Sequence, residues 1–334
     1  MIICLHGAPL QRWVGLAIFS ILFSCADSPS SPKPRNWQSV SLDLSDSVLM
    51  SGYIAENGTQ YTVGGAPNRG VIMTKANGGW SLQHEPSEML HWIHGSGSTI
   101  WSVGAKGTAY RLTDDGQTLA TEVTNTELDL WGVWVFSATN VWMVGGNPRA
   151  AAQTEAVIIH FDGETWQTIE LPELDRPCPS LFKVWGQNPE SIYFVGANGV
   201  LLHWNGDTIR QIVVDVGDDL VALWGDQDRV LVVGGRIRGV ILSYDGGAWR
   251  THLLPMTSGL NGIWLGDETA IAVGHRGMIV EMRTSNIPQA IVTQPTTTLL
   301  HGIFGTSDRG LTAVGGTLDQ PLPWSPVLLE TPSP

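Results

Sequence analysis

The 334 residues suffice for one large all-β domain or two ordinary ones. Only 15% are charged, while Gly reaches 39 and Trp 15, a composition of short strands and tight turns rather than of long solvent-facing helices. The formal charge of −13 excludes a sequence-independent nucleic-acid binder, which needs a cationic footprint.

The chain opens on an export pattern. Trp13 to Phe23 is an unbroken run of apolar and small residues after Arg12. It is too short for the ~20 residues a bilayer-spanning helix takes and reads as the core of a secretory signal. It ends in Leu22-Phe23-Ser24-Cys25, which resembles the lipobox of bacterial lipoproteins: an aliphatic residue at −3 and a small one at −1 before the acylated cysteine. Phe23 at −2 departs from the small or β-branched residue usual there. The resemblance implies a signal peptide over residues 1–24, lipidation at Cys25 and a chain held to the cell envelope by its N-terminal lipid alone. Ala26 points to the outer membrane. Ordinary cleavage nearby, with Cys25 incidental, is the alternative. Residues 25–36 then form the anchor and a Ser/Pro-rich, semi-rigid tether, and residues 37–334 a single domain. With Cys4 and Cys25 in the export segment, Cys178 is left alone there, so no intramolecular disulfide framework is expected.

That domain is repetitive. Val-Gly recurs at Val63, Val103, Val144, Val195, Val233, Val273 and Val314, about every 40 residues, with one longer interval between Val144 and Val195. Nine to eleven residues before each valine stands an aromatic: Tyr53, Trp92, Trp134, Trp185, Trp224, Trp264 and Phe304. A β-rich tetrad follows each Val-Gly, as in Val157 to His160 or Val200 to His203. Then comes Asn-Gly or Asp-Gly, at Asn77, Asp115, Asp162, Asn205 and Asp245, the signal of a type I′ hairpin with positive φ. Each unit is thus four antiparallel strands, A to D. The Val-Gly glycine fits a close approach of backbone at the end of strand B. Seven such units predict an all-β, seven-bladed β-propeller. The seventh unit has no strand D of its own, and Trp37 to Leu42 resembles Trp166 to Leu171, so the first strand of the domain is expected to complete the last blade.

The Gly-Gly doublets followed by an aromatic and a Trp resemble kelch repeats, although Phe161 to Trp166 and Tyr244 to Trp249 are one residue short of the kelch interval. Asp162 to Trp166 and Asp245 to Trp249 resemble degenerate Asp-boxes of neuraminidase-type repeats. As a whole the chain is similar to repeat-built propeller lipoproteins of bacteria. The resemblance implies the fold rather than a function.

Strand direction puts B→C and D→A loops on one face, the top, and A→B loops and C→D hairpins on the other. The long loops, Asn147 to Glu155, Glu173 to Ser180 and Gly316 to Ser325, are all on top, which marks a binding face. Bottom turns carry acidic residues, from Glu56 to Asp308. The loops just after Val-Gly carry Arg69, Lys106, Arg149, Arg236, Arg238, His275 and Arg276. These seven are the candidate ligand rim, to capture an acidic glycan or a carboxylate-bearing protein segment. The competing reading pairs them with top-loop carboxylates such as Glu155, Glu173, Asp175, Asp215, Asp218 or Asp219.

The once-per-blade aromatics read as packing between blades, and Trp131 and Trp204, outside that pattern, as the better ligand contacts. His160 and His203 share a strand C position and read as structural. His91-x-x-His94 lacks the third ligand zinc requires, and Cys178 has no assignable base partner. No G-x-S-x-G, H-E-x-x-H or phosphate loop occurs, nor the Arg-Ile-Pro signature of a sialidase. The expectation is a monomeric, non-enzymatic scaffold at the envelope, without cofactor or metal, that binds an envelope protein through the loop-rich face. A glycan-binding propeller is the first alternative and a propeller hydrolase or lyase the second.

Overall fold

A computed structural model describes residues 34–332, without residues 77, 114, 115, 151, 255, 256 and 319. The expected signal peptide, Cys25 and the expected tether up to residue 33 lie outside the described residues.

Seven four-stranded antiparallel sheets form the domain, a seven-bladed β-propeller. Strands A to D are Val48–Ile54, Gln60–Ala66, Arg69–Ala76 and Gly79–His84 in blade 1, and Leu90–Ser96, Thr99–Gly104, Ala109–Thr113 and Thr118–Glu122 in blade 2. Blade 3 has Leu130–Ser137, Asn140–Gly145, Val157–Phe161 and Trp166–Ile169. Blade 4 has Leu181–Asn188, Ser191–Gly196, Leu201–Trp204 and Ile209–Gln211. Blade 5 has Leu220–Gly225, Val230–Gly234, Val240–Tyr244 and Trp249–Leu253. Blade 6 has Leu260–Leu265, Thr269–Gly274, Ile279–Arg283 and Asn286–Thr293. Blade 7 takes Leu300–Thr306, Gly310–Gly316 and Pro326–Glu330 from the C-terminal end and Gln38–Ser39 as strand D. Gln38 pairs with Glu330 and Ser39 with Leu329, and the Val40 N–H donates to the Leu328 carbonyl at 2.9 Å. The closing strand is thus present but shorter than the six residues its sequence likeness predicts.

A four-stranded sheet with two apolar faces must bury both, and the ring does so. Among the described residues seven apolar clusters occur, one for each pair of neighbouring blades, from Tyr61, Val63 and Leu90 between blades 1 and 2 to Leu49, Val71, Phe304 and Leu328 between blades 7 and 1.

The Val-Gly signature has a geometric cause. In every blade the register of strands A and B slips between the first leucine of strand A and the residue two further on, which leaves one bulged residue. The carbonyl just before that leucine turns onto strand B. A Cβ on Gly104 would lie 2.0 Å from the Met89 oxygen, and one on Gly274 2.1 Å from that of Gly259. Only glycine fits.

Strand pairing also reassigns one aromatic. The position opposite Trp142, Tyr193 and Leu231 of strand B holds Trp134, Trp185 and Trp224, and in blade 2, opposite Trp101, it holds His94. Trp92 stands two residues earlier, at the position of Gly132 and Lys183. Trp204 likewise belongs to the repeat, in line with Phe161 and Tyr244. The hairpins differ from a type I′ turn: Gly163, Gly206 and Gly246 have positive φ, but the preceding Asp162, Asn205 and Asp245 do not. Their side chains instead accept N–H groups two and three residues on, as from Glu164 and Thr165 to Asp162.

Candidate functional site

Bulged residues of adjacent innermost strands meet side by side around the axis. His91 stacks on Trp131 with ring centroids 4.0 Å apart and bonds the Leu130 carbonyl at 2.9 Å. Phe182 meets Trp131 edge-on, and Asn261 donates to the Leu300 carbonyl. Below them, Lys183 reaches past its own blade: its ammonium donates to the Trp131 and Phe182 carbonyls at 2.9 and 3.1 Å and lies 4.2 Å over the Trp92 ring. Burial lowers its pKa to about 7. Burial likewise lowers His91 and His301 to about 4 and His94 to about 3. Nearer the bottom, His94 stacks on Trp134 at 3.9 Å and approaches Trp224 across the ring at 6.4 Å. A cavity of about 410 Å³ is lined there by Tyr53, Trp92, His94, Trp224, Trp264 and Phe304, with Asp267 at its edge.

His91 and His94 therefore belong to two different layers, each engaged by its own ring and backbone partners. Among the described residues no group of three or more His, Cys, Asp or Glu could hold a metal ion. Trp131, taken from the sequence as a ligand contact, stacks on His91 and directs its Nε1 to the Gly146 carbonyl. Trp204 packs on Trp142 at 5.4 Å and donates to the Pro189 carbonyl. Cys178 is buried, its thiol pushed up to about 12 by that burial.

On top, the rim divides in two. Arg69 pairs with Glu85 at 3.1 Å, Lys106 with Glu88 at 3.0 Å and Arg236 with Asp219 at 2.7 Å. Of the carboxylates proposed from sequence as partners, Asp219 is the one used for the rim; Glu85 and Glu88 belong to the loop after blade 1. The side chains of Arg149, Arg238 and Arg276 have no ion pair or hydrogen bond among the described residues. The bottom is not purely acidic either, because Arg229, Arg250, Arg283 and Arg309 pair with Asp226, Asp245, Glu268 and Asp308.

Two of the long loops brace each other. Asn147 N–H donates to the Pro179 carbonyl, Ala156 N–H to that of Cys178, and Cys178 N–H to the Thr154 hydroxyl. The third, after Gly316, helps to wall a groove of about 700 Å³ over blades 5 to 7. Arg236, Ile237, His275, Arg276, Leu299 and Gln320 are among its lining residues, and none of the described residues lining it is a carboxylate or a thiol. Ile237 is 91% exposed at its edge. Three of the seven rim residues thus share one groove, while Arg69, Lys106, Arg149 and Arg238 do not line it. The groove was not legible as a unit, because its walls come from loops up to 84 residues apart, Arg236 to Gln320.

No protein-family model matches this sequence, and no curated protein matches it. Solved structures resemble it in fold. Virginiamycin B lyase from Staphylococcus aureus is 13% identical, with a TM-score of 0.70 over 89% of this chain and 99% of that one. YCF48 from Cyanidioschyzon merolae is 13% identical, with a TM-score of 0.67 over 89% and 98%. YCF48 has also been solved bound to D1 peptide; that structure is 13% identical with a TM-score of 0.68 over 91% and 99%. The WD40 propeller of Doa1 is 11% identical, with a TM-score of 0.68 over 89% and 97%. At such identities the likeness is one of fold.

Proposed function

We propose that this propeller is a non-catalytic scaffold that binds an acidic segment of a protein partner in the groove over blades 5 to 7, and that Cys25 anchors it to the cell envelope. The observation that carries the reading is the groove itself: an Arg276 guanidinium with no partner among the described residues, His275 and the Asp219-paired Arg236 beside it, and Ile237 standing almost bare at the edge. An exposed isoleucine over a cationic floor suits a peptide that brings both a carboxylate and an apolar side chain. A polyuronate would meet the charges and leave the isoleucine uncovered. That YCF48 of the same fold is solved with a peptide supports a peptide-binding use of the architecture.

The test is calorimetric titration of the domain with a short Glu-rich peptide carrying one leucine, against Arg276→Ala. The variant should bind about tenfold more weakly or worse, since a hydrogen bond to a charged group contributes ~1.5–3 kcal/mol. Equal affinities would overturn the reading. Binding of oligogalacturonate in place of the peptide would move the function to glycans.

A further inference from the structure

We infer that the groove contains a defined carboxylate seat at the backbone N–H of Arg276, a seat that two other blades fill with aspartates of their own. The inference rests on the reading of the groove as a site for an acidic segment and names the atom that receives it.

Blades 2, 4 and 6 share one device after Val-Gly, a single 3-10 turn: Ala105–Gly107, Ala197–Gly199 and His275–Gly277. The middle residue is left-handed each time, Lys106 at φ 55°, Asn198 at 56° and Arg276 at 57°. The glycine after it lies against the loop leading to the next blade. A Cβ on Gly107, Gly199 or Gly277 would stand 1.8, 2.0 or 2.0 Å from the carbonyl oxygen of Thr126, Val216 or Thr296. Three residues beyond those carbonyls come Asp129, Asp219 and Leu299.

The left-handed turn aims the N–H of its middle residue at that third position. Lys106 N–H donates to Asp129 at 2.9 Å, and Asn198 N–H donates to Asp219 at 3.0 Å. In blade 6 the corresponding residue is Leu299, whose side chain has no acceptor, and the Arg276 N–H has no acceptor among the described residues. Arg276 and Leu299 both line the groove. Asp219 shows how a carboxylate fills such a seat: one oxygen takes the Asn198 N–H, the other the Arg236 guanidinium at 2.9 Å. In blade 7 the residue corresponding to Arg236 is Thr317, also in the groove, with a hydroxyl to donate. A ligand carboxylate there would complete by binding what Asp129 and Asp219 complete by sequence.

Two-dimensional amide NMR of the whole domain tests this. Acetate should move the Arg276 amide downfield and leave those of Lys106 and Asn198, already bonded to carboxylates, in place; the Glu-rich peptide should do the same at lower concentration. Leu299→Asp should place the Arg276 amide downfield without acetate, abolish its response to acetate and raise the melting temperature. Peptide binding with the Arg276 amide unmoved would overturn the seat while leaving the groove as a binding site. An acetate response with no peptide binding would support the seat and overturn the reading of a peptide site. A Leu299→Asp amide that stays at its original shift and still responds to acetate would overturn the seat.

Discussion

Lys183 is held by two carbonyls and an indole face, and among the described residues no carboxylate pairs with it. Such a group is cheaper to bury neutral than charged. Its pKa falls to about 7 in the folded chain against ~10.4 unfolded. Between these values the unfolded chain holds the extra proton, so stability rises with pH there, by up to ~1.4 kcal/mol per unit. The buried histidines act in the same sense at lower pH. With folded values of about 3 to 4 against ~6.5, they add stability above 6.5 that is lost on acidification through that window. Urea denaturation at pH 7.5 and 9.5 should therefore show the wild type more stable at the higher pH, by less than Lys183 alone would give because the raised Cys178 thiol opposes it above ~8.5, and Lys183→Met should abolish or reverse the difference. An undiminished slope in the variant would assign the titration to another group.

At the scale of elements, one irregularity generates the whole pattern. The bulge in strand A turns a carbonyl onto strand B, which demands the glycine of Val-Gly, and presents the bulged side chain to its neighbours around the axis. The shortest element has the largest topological task. Gln38–Ser39 and the Val40 N–H close blade 7, and Val40, Leu42 and Leu44 pack against the cluster between blades 7 and 1. Glu330 at the end of strand C binds Lys75 and the Trp80 indole of blade 1 at 2.7 and 2.9 Å. Upstream, the Arg35 N–H donates to the buried Glu281 of blade 6 at 2.9 Å, so the tether ends earlier than its Ser/Pro composition suggests. Deletion of residues 37–42 exposes the edge of Pro326–Glu330 and uncovers an apolar cluster. The truncated domain should aggregate and lose its cooperative melting transition in calorimetry. A soluble truncation that melts sharply near the wild-type temperature would show that the ring closes without this strand.

For the molecule as a whole, seven similar interfaces share the stability, and the two faces are left to diverge. The bottom carries short turns whose carboxylates are partly paired. The top carries the insertions and the groove. Strand D of blade 7 runs from bottom to top, so the described chain enters the ring from the face opposite the groove. Cys25→Ser tests the anchoring: the variant, expressed in a Gram-negative host, should move from the membrane pellet to the soluble fraction after osmotic shock. Retention in the pellet would remove lipidation at Cys25 from the proposal.

The sequence by itself determined the blade count, the order of strands, the glycine at the end of strand B and the closure by the N-terminus. Each is a local demand repeated seven times, and repetition makes it readable. Tertiary structure placed His94 rather than Trp92 at the aromatic position of blade 2, because an interval counted back from Val103 crosses an A→B turn whose length varies between blades. It decided as well which rim cations are neutralised. Arg69, Lys106 and Arg236 find carboxylates and Arg276 finds none among the described residues, a matter of which loops the ring brings side by side. The difference between Asp219 and Leu299 is visible in the sequence, but its meaning is not. It takes the folded turn of the preceding blade, pointing one N–H at that position as Asn198 does at Asp219, to give it one.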